Sequence, residues 1–304
     1  KISELKSSIS ALAFNQTASD LTRLAAIRAL GKLEGVDTKK LIHIVNNKES
    51  KILQLAGLES ISRLNLSEAA KLGADMITKG NSDDELLYIF LNRESGSKAL
   101  MKALGKSNLN KTSAAKILAK LQSIGCSDTN LLSYLSKVAE IKNTVPTYSM
   151  EYISDLAKAS SKGNASNGKL IFSTAGCVAC HQIESSNNNG IPFIGPDLET
   201  IGNTLSPERI IEEVIWPSRH VKEGYNLLQV TTNDGDVYQG YEQRTREKNV
   251  ILRPLSQART ITIPQEEIRE QSQLGSAMPT GLTSNLSMKH LADLIRYLSE
   301  KGQN

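Results

Sequence analysis

Cys177-Val178-Ala179-Cys180-His181 reads C-x-x-C-H, the pattern of covalent c-type haem attachment. Two thiols three residues apart on one turn can meet the two vinyl groups of a single porphyrin, and the next side chain then offers an imidazole to the iron. These five residues specify one haem c, joined through Cys177 and Cys180, with His181 as an axial ligand. Only 3 Cys and 4 His occur in 304 residues, so the cluster is not a by-product of composition. The same residues also admit a structural disulfide or half of a zinc site, but no second C-x-x-C completes the zinc site. Cys126 reads as a small buried residue at the end of a helix rather than a reactive thiol.

Working outward from the pentad, the second nitrogen of His181 needs an acceptor that fixes the ring, and the carbonyl of Pro196 is the candidate. The sixth ligand decides between electron transfer and small-molecule chemistry. Met278 leads, because Ser276-Ala277-Met278-Pro279-Thr280-Gly281-Leu282 is a Pro- and Gly-containing loop where a core-filling Met is unexpected. Its soft, neutral thioether favours Fe(II). Met288 reads as packing at the start of the last helix, and Met76, Met101 and Met150 fall in the helical half. His220 offers bis-histidine coordination but reads as a surface residue. His290 reads as solvent-facing and His43 as structural. Trp216, Arg209 and Arg219 are candidate partners for haem propionates.

Upstream, residues 3 to about 160 place apolar residues at helical spacing between short Gly, Asn, Ser and Asp breaks. Leu24-Ala25-Ala26-Ile27-Arg28-Ala29-Leu30 returns 31 residues on as Leu55-Ala56-Gly57-Leu58-Glu59-Ser60-Ile61, and again in Ala114-Ala115-Lys116-Ile117-Leu118-Ala119. Repeats of this length with small residues predict a HEAT-like α-solenoid, with an irregular helical bundle as the alternative. The polar stretch at 160–168 marks the boundary between domains 1–163 and 164–304. Ser206 with Pro207 predicts a helix ending near Ile215 or Trp216, and Ser287 caps a final amphipathic helix carrying Leu291, Leu294, Ile295 and Leu298. Between them Leu228–Thr231 and Val237–Tyr241 flank Asn233-Asp234-Gly235, a hairpin signal. Two further runs, Val250–Arg253 and Thr260–Ile263, complete a β insertion at about 226–264. After Pro264 a loop is expected.

The formal net charge is +4, with Lys and Arg dispersed among Asp and Glu, so no nucleic-acid tract is present. No run of 18 apolar residues spans a bilayer. The chain begins at Lys1, and an upstream leader, lipid anchor or further domain is expected. Covalent haem attachment requires export, so a bacterial periplasm or cell surface is the expected location.

Residues 168 to about 300 resemble the planctomycete and verrucomicrobial type of haem-binding cytochrome c domain, found behind HEAT-like repeats at the end of membrane-bound dehydrogenase-like proteins. The likeness is carried by Gly168, Phe172, Cys177, Cys180, His181, Gly195-Pro196-Asp197-Leu198 and Ile201-Gly202. It continues through Pro217-Ser218, Gly224-Tyr225, Asp234-Gly235, Gly240, Met278-Pro279-Thr280-Gly281-Leu282 and Leu294-Ile295-Arg296-Tyr297-Leu298. The resemblance implies a mainly α chain: a HEAT-like solenoid, then a class I-like cytochrome c domain with a small antiparallel β insertion between proximal and distal ligands. It implies a monohaem electron carrier rather than an enzyme, receiving electrons from a sugar or alcohol dehydrogenase and passing them to a respiratory acceptor. No strand-rich propeller precedes the repeats in this chain. The rival expectations are a five-coordinate haem peroxidase or ligand sensor, and a solenoid binding module in which haem is structural.

Overall fold

The computed structural model describes the chain except residues 1, 48, 127, 142–147, 184–193, 244–247, 256–258 and 304. The expected Asn-rich loop at 187–189 lies outside the described residues. The molecule is mainly helical with one small antiparallel sheet, and it divides into two units. The first comprises Lys1–Leu121, Asp128–Ile141 and Asp234–Val237; the second comprises Gln122–Ser127, Lys142–Asn233 and Tyr238–Asn304.

The first unit is built from α1 (Ile2–Phe14), α2 (Asp20–Leu30), α3 (Thr38–Asn46), α4 (Lys51–Leu64), α5 (Leu66–Thr78), α6 (Asp84–Leu91), α7 (Gly96–Leu104), α8 (Lys111–Ser123) and α9 (Thr129–Val138). Short polar side chains start several of them. Ser19, Asp37, Asn65 and Asp128 each accept a hydrogen bond from a backbone N–H of the first turn, which satisfies donors that the helix cannot pair internally. α2 packs on α1 and α4, α5 on α4 and α7, and α7 on α9. The side chains removed from water are aliphatic: Ile27, Leu41, Leu53, Leu58, Ile61, Leu86 and Leu87 are all fully buried. One ion pair is drawn inside. Arg23 donates to both oxygens of Glu49, at 2.9 and 2.8 Å, and to the Ala13 carbonyl at 3.3 Å. That hydrogen-bonded guanidinium holds the Glu49 carboxyl below the usual carboxylate range. At the 234–237 segment, the carboxylate of Asp236 accepts from Arg63 at 2.7 Å and from Arg93 at 3.1 Å.

The second unit contains α10 (Met150–Ser160), α11 (Ala165–Thr174), α12 (Ile201–Thr204), α13 (Pro207–Ile215) and α14 (Met288–Ser299). α14 packs against α10, α11 and α13. Ile153, Leu156, Ile171, Phe172, Ile210, Ile211, Ile215, Leu291, Leu294, Ile295 and Leu298 form their common core. α13 and α14 match the boundaries read from Ser206, Pro207 and Ser287, and both serines cap as expected. The expected boundary at 163/164 instead lies inside this unit. Ile153, Leu156 and Ala157 of α10 are buried in the same core as α14, and the polar stretch is a turn in which Asn164 caps α11 by accepting from the Asn167 N–H at 3.0 Å.

α11 and α14 approach closely because Gly168 has no side chain. A Cβ at that position would lie 2.1 Å from the Asp293 carbonyl oxygen. The contact is fastened by the Asp293 carboxylate, which accepts from the Asn164 N–H and from the Asn167 side-chain amide, both at 2.7 Å. Those two donors, the backbone N–H foremost, hold the Asp293 carboxyl below its ordinary range.

Five strands form one sheet in the order β4-β3-β2-β1-β5: β1 (Asn226–Thr232), β2 (Val237–Gln243), β3 (Asn249–Arg253), β4 (Ile261–Pro264) and β5 (Ile268–Ser276). Leu228, Val230, Val250, Leu252 and Ile263 make its apolar core. β5 corrects the expected loop after Pro264, and the insertion runs to Ser276. Its sequence, Ile268-Arg269-Glu270-Gln271-Ser272-Gln273-Leu274-Gly275-Ser276, has no alternating apolar face. It lies at the sheet edge and pairs along the length of β1, from Asn226↔Ser276 to Thr232↔Ile268 with two register shifts. Main-chain pairing with an already formed neighbour supplies what its side chains lack.

Candidate cofactor attachment site

Gly176, with φ +85°, turns the chain after α11 and starts a single 3-10 turn over Cys177–Ala179. On it the His181 N–H and the Cys180 N–H both bond the Cys177 carbonyl, at 3.0 and 3.1 Å. The turn is tied to the segment that follows the undescribed residues, where the Gly195 N–H donates to the Cys180 carbonyl at 2.7 Å and the Leu198 N–H donates to the Gln182 carbonyl at 2.9 Å. Leu198 is buried in the helical core, and half-buried Cys177 and Ile183 pack against that core.

These bonds bring the His181 ring under Gly195-Pro196. Its Nδ1 lies 2.9 Å from the Pro196 carbonyl oxygen. A carbonyl only accepts, so Nδ1 carries the proton and Nε2 carries the lone pair. Gly195 is required by the same contact, because a Cβ there would stand 2.5 Å from His181 Cε1 and 2.7 Å from Nδ1. Burial pulls the His181 imidazole below its ordinary pKa, with the Pro196 carbonyl opposing that in part, so the ring is neutral at pH 7.

No disulfide joins Cys177 to Cys180, and both are free thiols. Cys177 and Cys180 are half-buried; burial pushes the Cys177 thiol up to about 11 and raises Cys180 as well. Both remain S–H at neutral pH, unlike the activated thiolates of a redox dithiol. Among the described residues no three His, Cys, Asp or Glu side chains converge as a metal cluster. Two free thiols on one turn, and an imidazole locked through Nδ1 with Nε2 left as a ligand atom, fit a haem held by two thioethers and one axial nitrogen.

Met278 is not part of this hydrogen-bonded unit. It is half-buried in a bend after β5, with its N–H on the Ser276 hydroxyl at 3.1 Å. The Ser276 N–H in turn lies 3.4 Å from the Ser218 hydroxyl, which places this segment beside the chain that leaves α13. The other candidates differ in exposure and local partners. Met288 is 41% exposed rather than packed, and His43 is exposed rather than structural; His220 and His290 are also exposed. Arg209 pairs with Glu212 and Glu213, and Arg219 lies over the Trp216 ring at 4.8 Å. Cys126 is buried, as its sequence context predicts.

Sequence reasoning named the Pro196 carbonyl but gave Gly195 no role; a glycine directly before that proline was the available signal. No protein-family model matches the chain, and no curated protein matches it in sequence. Among the described residues no helix is long and apolar enough to cross a membrane.

Proposed function

We propose that the chain is a monohaem c-type cytochrome that transfers electrons and makes no bonds in a substrate. The observation that carries this reading is the His181 ring, neutral and fixed through Nδ1 on the Pro196 carbonyl, on a turn bearing two unoxidised thiols. Cys177 and Cys180 would hold the haem through two thioether bonds to its vinyl groups. Haem, when bound, supplies one-electron exchange between Fe(III) and Fe(II). His181 would hold the iron through Nε2, with Pro196 fixing the imidazole's orientation and tautomer, and Met278 would supply a second, neutral sulfur ligand that favours the reduced state.

The second unit is read as a class I-like cytochrome c domain carrying a β insertion, and the first as a HEAT-like module for docking or spacing. The repeated helix pairs and their aliphatic core support the latter. A sugar or alcohol dehydrogenase is the electron donor and a respiratory carrier the acceptor, at a bacterial periplasm or cell surface.

The test is export of the full chain in a host that matures c-type cytochromes. Expected are one covalently bound haem, absent from Cys177→Ala/Cys180→Ala, and a low-spin reduced spectrum. Met278→Ala should lower the midpoint potential and admit carbon monoxide to the reduced protein. A product without haem overturns the reading, and unchanged spectrum and potential in Met278→Ala overturn the ligand assignment.

A further inference from the structure

Gly31 ends α2 against α4. A Cβ there would stand 2.8 Å from the Ser60 Cα, and the Ser60 hydroxyl donates to the Ile27 carbonyl at 2.8 Å. Small residues at this crossing let the two helices meet almost backbone to backbone, and the long side chains beside it stand as walls. They enclose a cleft of about 410 Å³, open to solvent, lined by Arg28, Ala29 and Lys32 on one side and by Glu59, Ser60 and Arg63 of α4 on the other. Three of the six are cations and one is an anion.

What the cleft can still bind depends on which of those charges are already matched. The Arg63 guanidinium donates to Asp236 at 2.7 Å and to Asp234 at 3.4 Å, and Arg93 shares Asp236 at 3.1 Å, so two cations there meet two carboxylates. Arg28 donates to Glu59 through Nε, at 3.0 Å, which leaves its two terminal amino groups with donors to offer. Lys32 is exposed, and among the described residues its ammonium makes no hydrogen bond or ion pair. One unmatched positive charge beside a guanidinium fits a single carboxylate. A phosphate would bring a second negative charge against Glu59 and Asp236.

We propose that this cleft is the docking site for an acidic side chain on a partner protein, held between Lys32 and the terminal amino groups of Arg28. The inference rests on the docking role read for the first unit and does not depend on haem. Ion pairs made by exposed side chains are individually weak, so a free small acid gains too little here to be retained. A partner chain adds contacts around the acid, and the cleft then selects which surface docks.

The experiment uses the full chain and a fluorescein-labelled peptide of alternating Glu and Gly, followed by fluorescence anisotropy at fixed pH and ionic strength. The parent should bind this peptide and not its Gln counterpart. Lys32→Glu should weaken binding by about tenfold or more, because it sets like charges opposite one another. Lys102→Glu makes the same change in net charge on α7, which packs on α5, α6 and α9, and should leave the affinity within about twofold of the parent's. Glu59→Gln removes the carboxylate that competes for Arg28 and should tighten binding. Free glutarate, at concentrations comparable to the peptide's, should not displace it. A parent that does not bind the peptide overturns the inference, and so do equal losses in the two lysine variants, which would mean attraction by overall charge alone. Displacement by glutarate reassigns the cleft to a free acid and overturns the partner. Haem uptake is untouched in every case, so the cytochrome reading stands or falls on its own test.

Discussion

In the helical unit the fully buried positions are filled by side chains such as Leu53, Leu58 and Ile61, and α4 owes its place to their volume. In the second unit α11 meets α14 where Gly168 leaves room for the Asp293 carbonyl, and His181 meets Pro196 where Gly195 leaves room for a ring. The first kind of contact tolerates exchange among aliphatic residues of similar size. The second kind fixes positions to a few tenths of an ångström, because backbone atoms cannot choose another rotamer. Under the function proposed above, this difference would match what each unit has to do: stacked helices need only cover one another, whereas an imidazole ligand must point one way.

The sharpest way to break this comparison is to fill the Gly168 gap. Gly168→Leu should cost more than about 5 kcal/mol, exceeding the loss of an entire buried side chain in Leu58→Ala, at about 2–5 kcal/mol, only if backbone contact governs the second unit. Trp216 is the one tryptophan of the chain and packs against that unit's core. Denaturation followed by its fluorescence therefore reports on the second unit separately from far-UV circular dichroism. A Gly168→Leu chain whose tryptophan transition is unmoved would remove the distinction.

Gly195→Ala applies the same logic at the site, with a smaller expected cost of about 1–3 kcal/mol for overpacking. The added methyl displaces His181 from Pro196, visible as loss of the Nδ1–H signal of a hydrogen-bonded tautomer in the NMR spectrum of the apo chain. Retention of that signal would mean that the ring has room the glycine does not explain.

Asp293→Asn removes the charge on which two donors converge and should cost about 1–3 kcal/mol at pH 7. Because the folded carboxyl titrates below its unfolded value of about 3.9, its contribution is complete above that value and disappears as pH falls through the folded one. The gap between parent and variant should therefore narrow below about pH 4 in denaturation curves taken across the acid range. A gap independent of pH would assign the effect to packing. Ser206→Ala is the mildest change. It removes the acceptor for the Arg209 N–H and should cost about 1 kcal/mol, read from the same tryptophan transition.

Several of these features can be read from local sequence. Ser206 followed by Pro207, and Ser287 before Met288, set helix starts because a short hydroxyl side chain pairs with donors only two or three residues away. The pentad places two thiols and an imidazole on one turn for the same reason. β5 was not readable: Gln271, Ser272 and Gln273 show no apolar alternation, and the strand exists because β1 offers its edge. α10 looked like the close of the helical half, since its sequence has the same periodicity as the helices before it. Only the partner that buries Ile153 and Leu156 distinguishes it.

The chain's order of residues by itself determined the helical content, the caps, the hairpin and the Cys177–His181 turn, because each depends on groups within a few positions of one another. Tertiary structure decided the fit of Gly168 against Asp293 and the extension of the sheet through β5. Those contacts join residues far apart along the chain, and their energies depend on distance in space, which periodicity and composition do not encode.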